Sequence, residues 1–316
     1  MKIHRRYRSA IAAVLVVCAL MLNACAFGAG DRHEYTVGVV LLDLQDPDLA
    51  GMAKAMKKAG DEHGIGVELA DSKKDNGNEL NHIEDLITKR VDAVILQPLD
   101  GKASQIAAKR VIDAGIPLFI VSTEFAEGAD IAYKSYIGID DTLAGEMQGK
   151  YLNEVLPEGG DILFVAGTYG ASWTDRRKTG FARTVARNIN VVSEFQANGS
   201  RDDAKRIMED TLSRYARGSL VAVVAQNDES AIGAASAIAE AGRRSEFKAI
   251  IGIDGTADGV QAIADGQLTA TVQQDSAGQG TEAVRVVAAF LNGGEINKRY
   301  ELPFNLITQE NVAKFK

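Results

Sequence analysis

The chain has 316 residues, 46% hydrophobic and 25% charged, which is enough for two globular domains and too apolar for a disordered protein. Acidic residues outnumber basic ones by 43 to 35, for a formal charge of −8, and the two cysteines, Cys18 and Cys25, lie close to the start. A disulfide-built scaffold is therefore excluded.

Lys2, Arg5, Arg6 and Arg8 precede an apolar run from Ile11 to Leu22, and no acid appears before Asp31. That pattern marks an export signal rather than a fold element, and the run is short for a permanent membrane anchor. It ends in Leu22-Asn23-Ala24-Cys25, which resembles the lipobox of bacterial lipoproteins and implies a lipid on Cys25. A plain secretory signal is the alternative, and either reading places the protein outside the cytoplasm, with a lipid as its only hold on the membrane in the first. Loss of residues 1–24 removes four basic residues and no acid, so the formal charge moves from −8 to −12, which argues against nucleic acid as a partner. Residues 25–34 are small and polar and read as a tether to the first strand.

From Tyr35 onward, short apolar runs alternate with amphipathic segments of about a dozen residues, the spacing of βαβ units. The strand-like runs are YTVGVVLL, VELA, DAVILQ, PLFIV, SYIGI, DILFVAG, VVSEFQ, LVAVVAQ, KAIIGI and LTATVQQ. Their near-continuous apolar character suits parallel strands covered on both faces. Leu49, Met52, Met56 and Ala59 mark one helical face, and Ala283, Val287, Phe290 and Leu291 mark another. No internal stretch is long enough for a transmembrane helix. Two five-stranded sheets are more economical than one of ten, and with only five prolines in the chain the junction is a tight hinge.

In open α/β sheets ligands gather beyond the carboxyl ends of the strands. Polar groups stand there in this chain: Asp43, Asp46 and Asp48; Ser122, Thr123 and Glu124; Thr168 to Arg177; Asn227 and Asp228; Asp254; Gln273, Gln274 and Asp275. Asp228, Asp141 and Asp258 are expected to serve as helix caps, whereas Asn227 and Asp254 lie one step nearer their strands and are expected to face a ligand.

The segments AQNDESAIGA, IIGIDGTADG and LTATVQQD, with GVVLLDLQDPDLAGM, SYIGIDDTLAG and GTYGASWTDRRKTGF, resemble the type I periplasmic sugar-binding proteins over nearly the whole mature chain. The resemblance implies two doubly wound parallel-sheet lobes joined by a three-strand hinge. The lobes would be 35–139 plus 275–302 and 140–274 plus 303–316. It also implies a sugar or polyol held between the lobes, hinge closure, delivery to an ABC importer permease, and a monomer that needs no cofactor or metal. The family's polar contacts fall on Asn227, Asp254, Gln274 and Arg177. Carboxylate, amide and guanidinium together match a polyol, since they supply acceptors, donors and a balancing charge.

The chain departs from the family in its first half, where Asp46, Asp48 and Leu49 replace an asparagine and aromatics, and Ser122-Thr123-Glu124-Phe125 replaces an Asp-Arg pair. Asp46, Asp48, Thr123 and Glu124 are the substitutes expected to touch the ligand, and their acidity favours an amino sugar or a hydroxyl-rich polyol. Trp173, the single tryptophan, is expected to stack on the ligand, ahead of Tyr169 and Phe125. Three competing functions are a sugar sensor, a glycosidase with Asp46 or Glu124 opposite Asp254, and a transcriptional repressor. Neither a nucleophile elbow nor paired metal-binding histidines support an enzyme, and an export signal stands where a repressor carries its DNA-binding headpiece.

Overall fold

The computed structural model describes residues 33–125 and 128–315, so the export signal, Cys25 and most of the tether lie outside the described residues. The first half alternates β1 (Tyr35–Leu41), α1 (Pro47–His63), β2 (Ile65–Asp71), α2 (Asn76–Lys89), β3 (Ala93–Leu96), α3 (Ser104–Asp113), β4 (Leu118–Ser122) and β5 (Ser135–Gly138). There follow α4 (Asp141–Val155), β6 (Gly160–Ala166), α5 (Ser172–Thr184), β7 (Ile189–Gln196), α6 (Arg201–Leu212) and β8 (Leu220–Ala225). The last third holds α7 (Asp228–Glu240), β9 (Ala249–Asp254), α8 (Ala257–Ala264), β10 (Ala270–Gln274), α9 (Ser276–Leu291), β11 (Arg299–Glu301) and β12 (Phe304–Thr308).

These strands form two sheets, ordered β11-β5-β4-β3-β1-β2 and β12-β10-β9-β8-β6-β7. Each has six strands rather than the expected five, because β11 and β12 join from the final segment. Both are short and partly exposed, so they lack the buried apolar run by which the other strands were legible. β12 runs antiparallel to β10, with Ala270 opposite Thr308, and the other pairings are parallel.

Successive strand residues point to opposite faces, and helices cover both. In the first sheet Val39, Phe119 and Val121 pack with α1 and α9, while Val40, Leu96 and Ile120 pack with α2 and α3. In the second, Leu163, Val165 and Ile250 face α6 and α7, while Ile162, Phe164 and Ile251 face α4 and α5. The stripe Leu49, Met52, Met56 and Ala59 is the buried face of α1, as its spacing requires. α1 begins where Asp46 accepts hydrogen bonds from the backbone amides of Asp48 and Leu49, and it stops at Gly64, whose φ of 68° suits glycine. Among the described residues no helix is long and apolar enough to cross a membrane.

The chain passes between the sheets three times, from β5 to α4, from β10 to α9 and from β11 to β12. Accordingly α4 packs on α5, β9 and β10, whereas α9 packs back on α1, β4 and β5. In each sheet the strand order reverses beside its first strand, at β1 and at β6, which is where such sheets open a crevice at their carboxyl ends.

Candidate functional site

The wall contributed by the second sheet starts from a close helix contact. A Cβ on Gly145 of α4 would lie 1.8 Å from the Arg177 carbonyl oxygen, and one on Gly180 of α5 would lie 1.9 Å from that of Thr142, so only glycine lets these helices touch. The contact brings the Arg177 guanidinium to Asp141, whose Oδ1 accepts from Nε at 2.8 Å, while Nη1 donates to the Gln226 carbonyl at 2.6 Å. Both side chains are buried. Asp141 was expected to cap α4, but Asp140 does so by accepting from the Thr142 amide, which frees Asp141 to hold the arginine. Burial pushes the Asp141 carboxyl up from its ordinary range, and the Arg177 charge opposes this.

Asp254 ends β9 with φ of 123°, a backbone region unusual for a residue with a side chain. Its Oδ1 accepts from Gln274 Nε2 at 2.6 Å and lies 3.9 Å from Arg177 Nη1. The same amide nitrogen lies 3.4 Å from Asp48 Oδ2, which also accepts from the Ser276 hydroxyl. Gln274 thus joins the first turn of α1 to the end of β9 at the crossing between sheets. Burial, with the neighbouring Asp48 charge, holds the Asp254 carboxyl well above the usual range. Burial pushes Asp48 to about 7, with the Ser276 hydrogen bond pulling the other way.

Asn227 and Asp228 divide their duties differently from expectation. Asn227 is the cap of α7, accepting from the Ser230 amide at 3.1 Å, and its Nδ2 donates to the Gly199 carbonyl at 3.3 Å at the crevice wall. Asp228 is fully buried and braces β9 and β10 from behind, accepting from the Thr256 amide at 2.9 Å and the Thr271 hydroxyl at 2.6 Å. β8 ends at Ala225, so an extended Asn227 supplies the cap before the helix turns. At α8 the expected cap, Asp258, pairs with Arg201 at 2.7 Å, and Thr256 caps instead.

The opposite wall comes from the first sheet. Asp46 caps α1, and Lys74 pairs with Asp43 at 3.2 Å while donating to the Asn198 carbonyl across the crevice at 3.3 Å. Ser122 has φ of 59°, and Thr123 next to it donates its amide to the Val121 carbonyl at 2.6 Å. Trp173, half-buried, lies so close over Gly167 that a Cβ there would come within 1.9 Å of the ring, and the Arg177 guanidinium carbon stands 5.0 Å from the ring centroid.

A single cavity collects these groups. Asp46, Asp48, Thr123, Trp173, Arg177, Asn227, Asp254 and Gln274 all line it, from both sheets and from the crossing between them. Glu124 does not: its carboxylate is taken by Arg176 and Arg299 at the rim, and the Ser172 hydroxyl donates to its backbone carbonyl. Two nearby guanidiniums outcompete an open cavity for that charge. Phe125 lies in the core beside α3, and Tyr169 is 54% exposed with its hydroxyl toward Glu194, so neither replaces a stacking aromatic. Lys74, Gln97, Leu99, Asp141 and Asn198 line the cavity without having been singled out for it. Gln97 directly follows β3 and Asn198 lies two residues beyond β7, so the carboxyl-end rule applied to every strand points to them.

Three comparisons bear on this architecture. A curated ribose import binding protein of Bacillus subtilis is 27% identical over 96% of this chain and 100% of its own length. A putative rhizopine-binding protein of Rhizobium meliloti is 30% identical, covering 90% of this chain and 93% of its own. A crystal structure of an ABC transporter solute-binding protein from Bacillus halodurans with bound myo-inositol is 30% identical, with a TM-score of 0.84 over 91% of this chain and 99% of that one. Two doubly wound sheets, three crossings and a polar cavity between them accompany a match of residues 37–295 to the periplasmic binding protein domain, and the chain belongs to that family.

Proposed function

We propose that this chain is the extracytoplasmic solute-binding component of an ABC importer, lipid-anchored through Cys25, monomeric, and closing as two lobes on a sugar or polyol. The observation that carries the reading is the meeting of Asn227, Asp254 and Gln274 with Asp46, Asp48 and Thr123 around one cavity. In this reading the lobes are 35–139 plus 275–302 and 140–274 plus 303–316, hinged at the three crossings. The relatives named for ribose and solved with myo-inositol support a hydroxyl-rich ligand.

Closure works by differential affinity: a ligand that touches both walls stabilises the arrangement in which both are within reach. Lys74 to Asn198, Arg176 to Glu124 and Ser172 to Glu124 are contacts that cross between the walls and would part as they separate. A hydroxyl left unmatched in the shut cavity costs on the order of 1–3 kcal/mol, which separates near-identical sugars. The glycosidase alternative loses one of its acids, since Glu124 is held at the rim.

A melting screen of the full chain, purified in mild detergent, against pentoses, hexoses, cyclitols and sugar alcohols tests the reading. A bound ligand raises Tm, by about 2.7 kcal/mol of stabilisation at a hundredfold excess over Kd. Emission from Trp173, the only tryptophan, should change with the same compounds. Unchanged melting with every class would reject the proposal.

A further inference from the structure

Charge pairing around the cavity is lopsided. Arg177 is engaged by Asp141 at 2.8 Å and by the Gln226 carbonyl, and Lys74 by Asp43 at 3.2 Å and the Asn198 carbonyl. Asp46, Asp48 and Asp254 are left with 3.9 Å from Asp254 to Arg177 as their nearest ion pair. Asp46 spends one oxygen on two backbone amides, so Asp48 and Asp254 are the uncompensated pair.

Gln274 fixes what can sit between them. Its Nε2 reaches both carboxylates, at 2.6 and 3.4 Å, which uses the amide's donors and forbids a flip that would aim its oxygen at two acids. That oxygen, Oε1, is buried and accepts from no group in the protein, on a side chain only 8% exposed. The cavity therefore presents two carboxyl groups that no cation of the protein approaches closer than 3.9 Å. A hydroxyl brings one donor and its own lone pairs, whereas an ammonium brings three donors, no lone pair and the missing charge. No cluster of three or more histidine, cysteine or carboxylate ligands is arranged for a metal ion among the described residues.

We infer that the ligand is an amine-bearing polyol, an amino sugar or aminocyclitol, whose ammonium meets the carboxyl groups of Asp48 and Asp254, a conclusion that rests on the solute-binding reading above. The remaining hydroxyls then meet Thr123, Arg177 and Asn227, and the carbon face of the ring meets Trp173. Burial holds both carboxyls above their usual range, and an ammonium beside them would favour their charged forms.

Titration calorimetry of the full chain against matched pairs tests this: D-glucose and D-glucosamine, D-galactose and D-galactosamine, myo-inositol and its monoamino-deoxy analogue. At least one amino member should bind about tenfold or more tightly than its hydroxyl twin, and Asp48→Asn should reduce that ratio to about twofold or less. The ratio in the parent protein stands without the variant, so a misfolded variant leaves the test intact. Hydroxyl members binding equally well or better in every pair that binds, or neutral compounds of the wider screen raising Tm while no amino member binds, would overturn the amine and leave the solute-binding function standing. No binding by any compound of either screen would overturn both.

Discussion

The two walls of the cavity are built on opposite plans. On the second sheet, Arg177 is clamped by Asp141 and the Gln226 carbonyl, the Gln226 side chain bonds Gly167 and Thr174 at 2.8 Å each, and Asp228 ties Thr256 to Thr271 behind Asp254. On the first sheet, Asp48, Leu49 and Thr123 stand on a helix start and a tight turn with apolar Leu42 and Leu99 between them. On the second wall the polar side chains are themselves clamped, whereas on the first the bracing from Gln97, Glu79 and Tyr136 falls on the backbone of Leu42, Leu99 and Ser122. We therefore expect preorganisation to rest with the second wall and ligand preference with the first.

Removing the clamp should have the largest effect. Arg177→Met leaves Asp141 buried without its partner, and unfolding stability should fall by about 3–5 kcal/mol, read by chemical denaturation. Arg177→Met with Asp141→Asn should recover much of that stability yet bind nothing. Recovery of binding in the double variant would mean that Arg177 only props the wall. Asp254→Asn comes next: several ligand donors lose a charged acceptor together, so affinity should fall by about 2–4 kcal/mol. Tm of the ligand-free variant should hold or rise, since a buried carboxyl with a raised pKa has been removed. Thr123→Val on the opposite wall should cost about 1 kcal/mol of affinity for the best ligand while changing the ranking among ligands. An unchanged ranking would dissolve the distinction between the walls.

Much of the braced wall was legible in sequence because motif and backbone coincide there. Asp254 and Gln274 end strands whose apolar runs are unmistakable, and Asn227 lies two residues beyond another. The rest depends on competition that a one-dimensional reading does not contain. Glu124 was expected in the cavity because it follows β4, but Arg176 and Arg299, 52 and 175 residues away, take its charge. Asp141 was assigned to a cap because aspartate favours caps, and only the glycine contact between α4 and α5 reveals its arginine. β11 and β12 were missed because an edge strand of three to five residues, partly exposed, has no periodicity to show.

The Glu124 rim offers a smaller test. Its partners Arg176 and Arg299 are about a third exposed, which limits such pairs to about 1 kcal/mol or less. Glu124→Gln should therefore weaken affinity a few-fold at most, mainly through faster release, since it loosens a contact across the walls without touching the ligand. A loss as large as that of Asp254→Asn would put Glu124 back in the cavity.

A slope with pH is also expected in the ligand-free protein. Asp48 faces Asp46 on its own helix, Gln274 and Ser276 at the crossing, and Asp254, Asp228 and Arg177 from the other wall. Burial raises its pKa to about 7, far above that of a carboxyl in the unfolded chain. Between those two values the folded protein holds a proton that the unfolded chain has released, so this contribution is greatest in acid and is lost as pH rises through 7. Asp228, also pushed up to about 7 by burial, adds to the same slope from behind β9. Tm of the ligand-free protein should accordingly decline from mildly acidic to mildly alkaline buffer, and Asp48→Asn should flatten the decline while leaving the Asp228 part. Parallel slopes in parent and variant would show that Asp48 carries no unusual proton, and that the first wall tolerates its charge without help from a ligand.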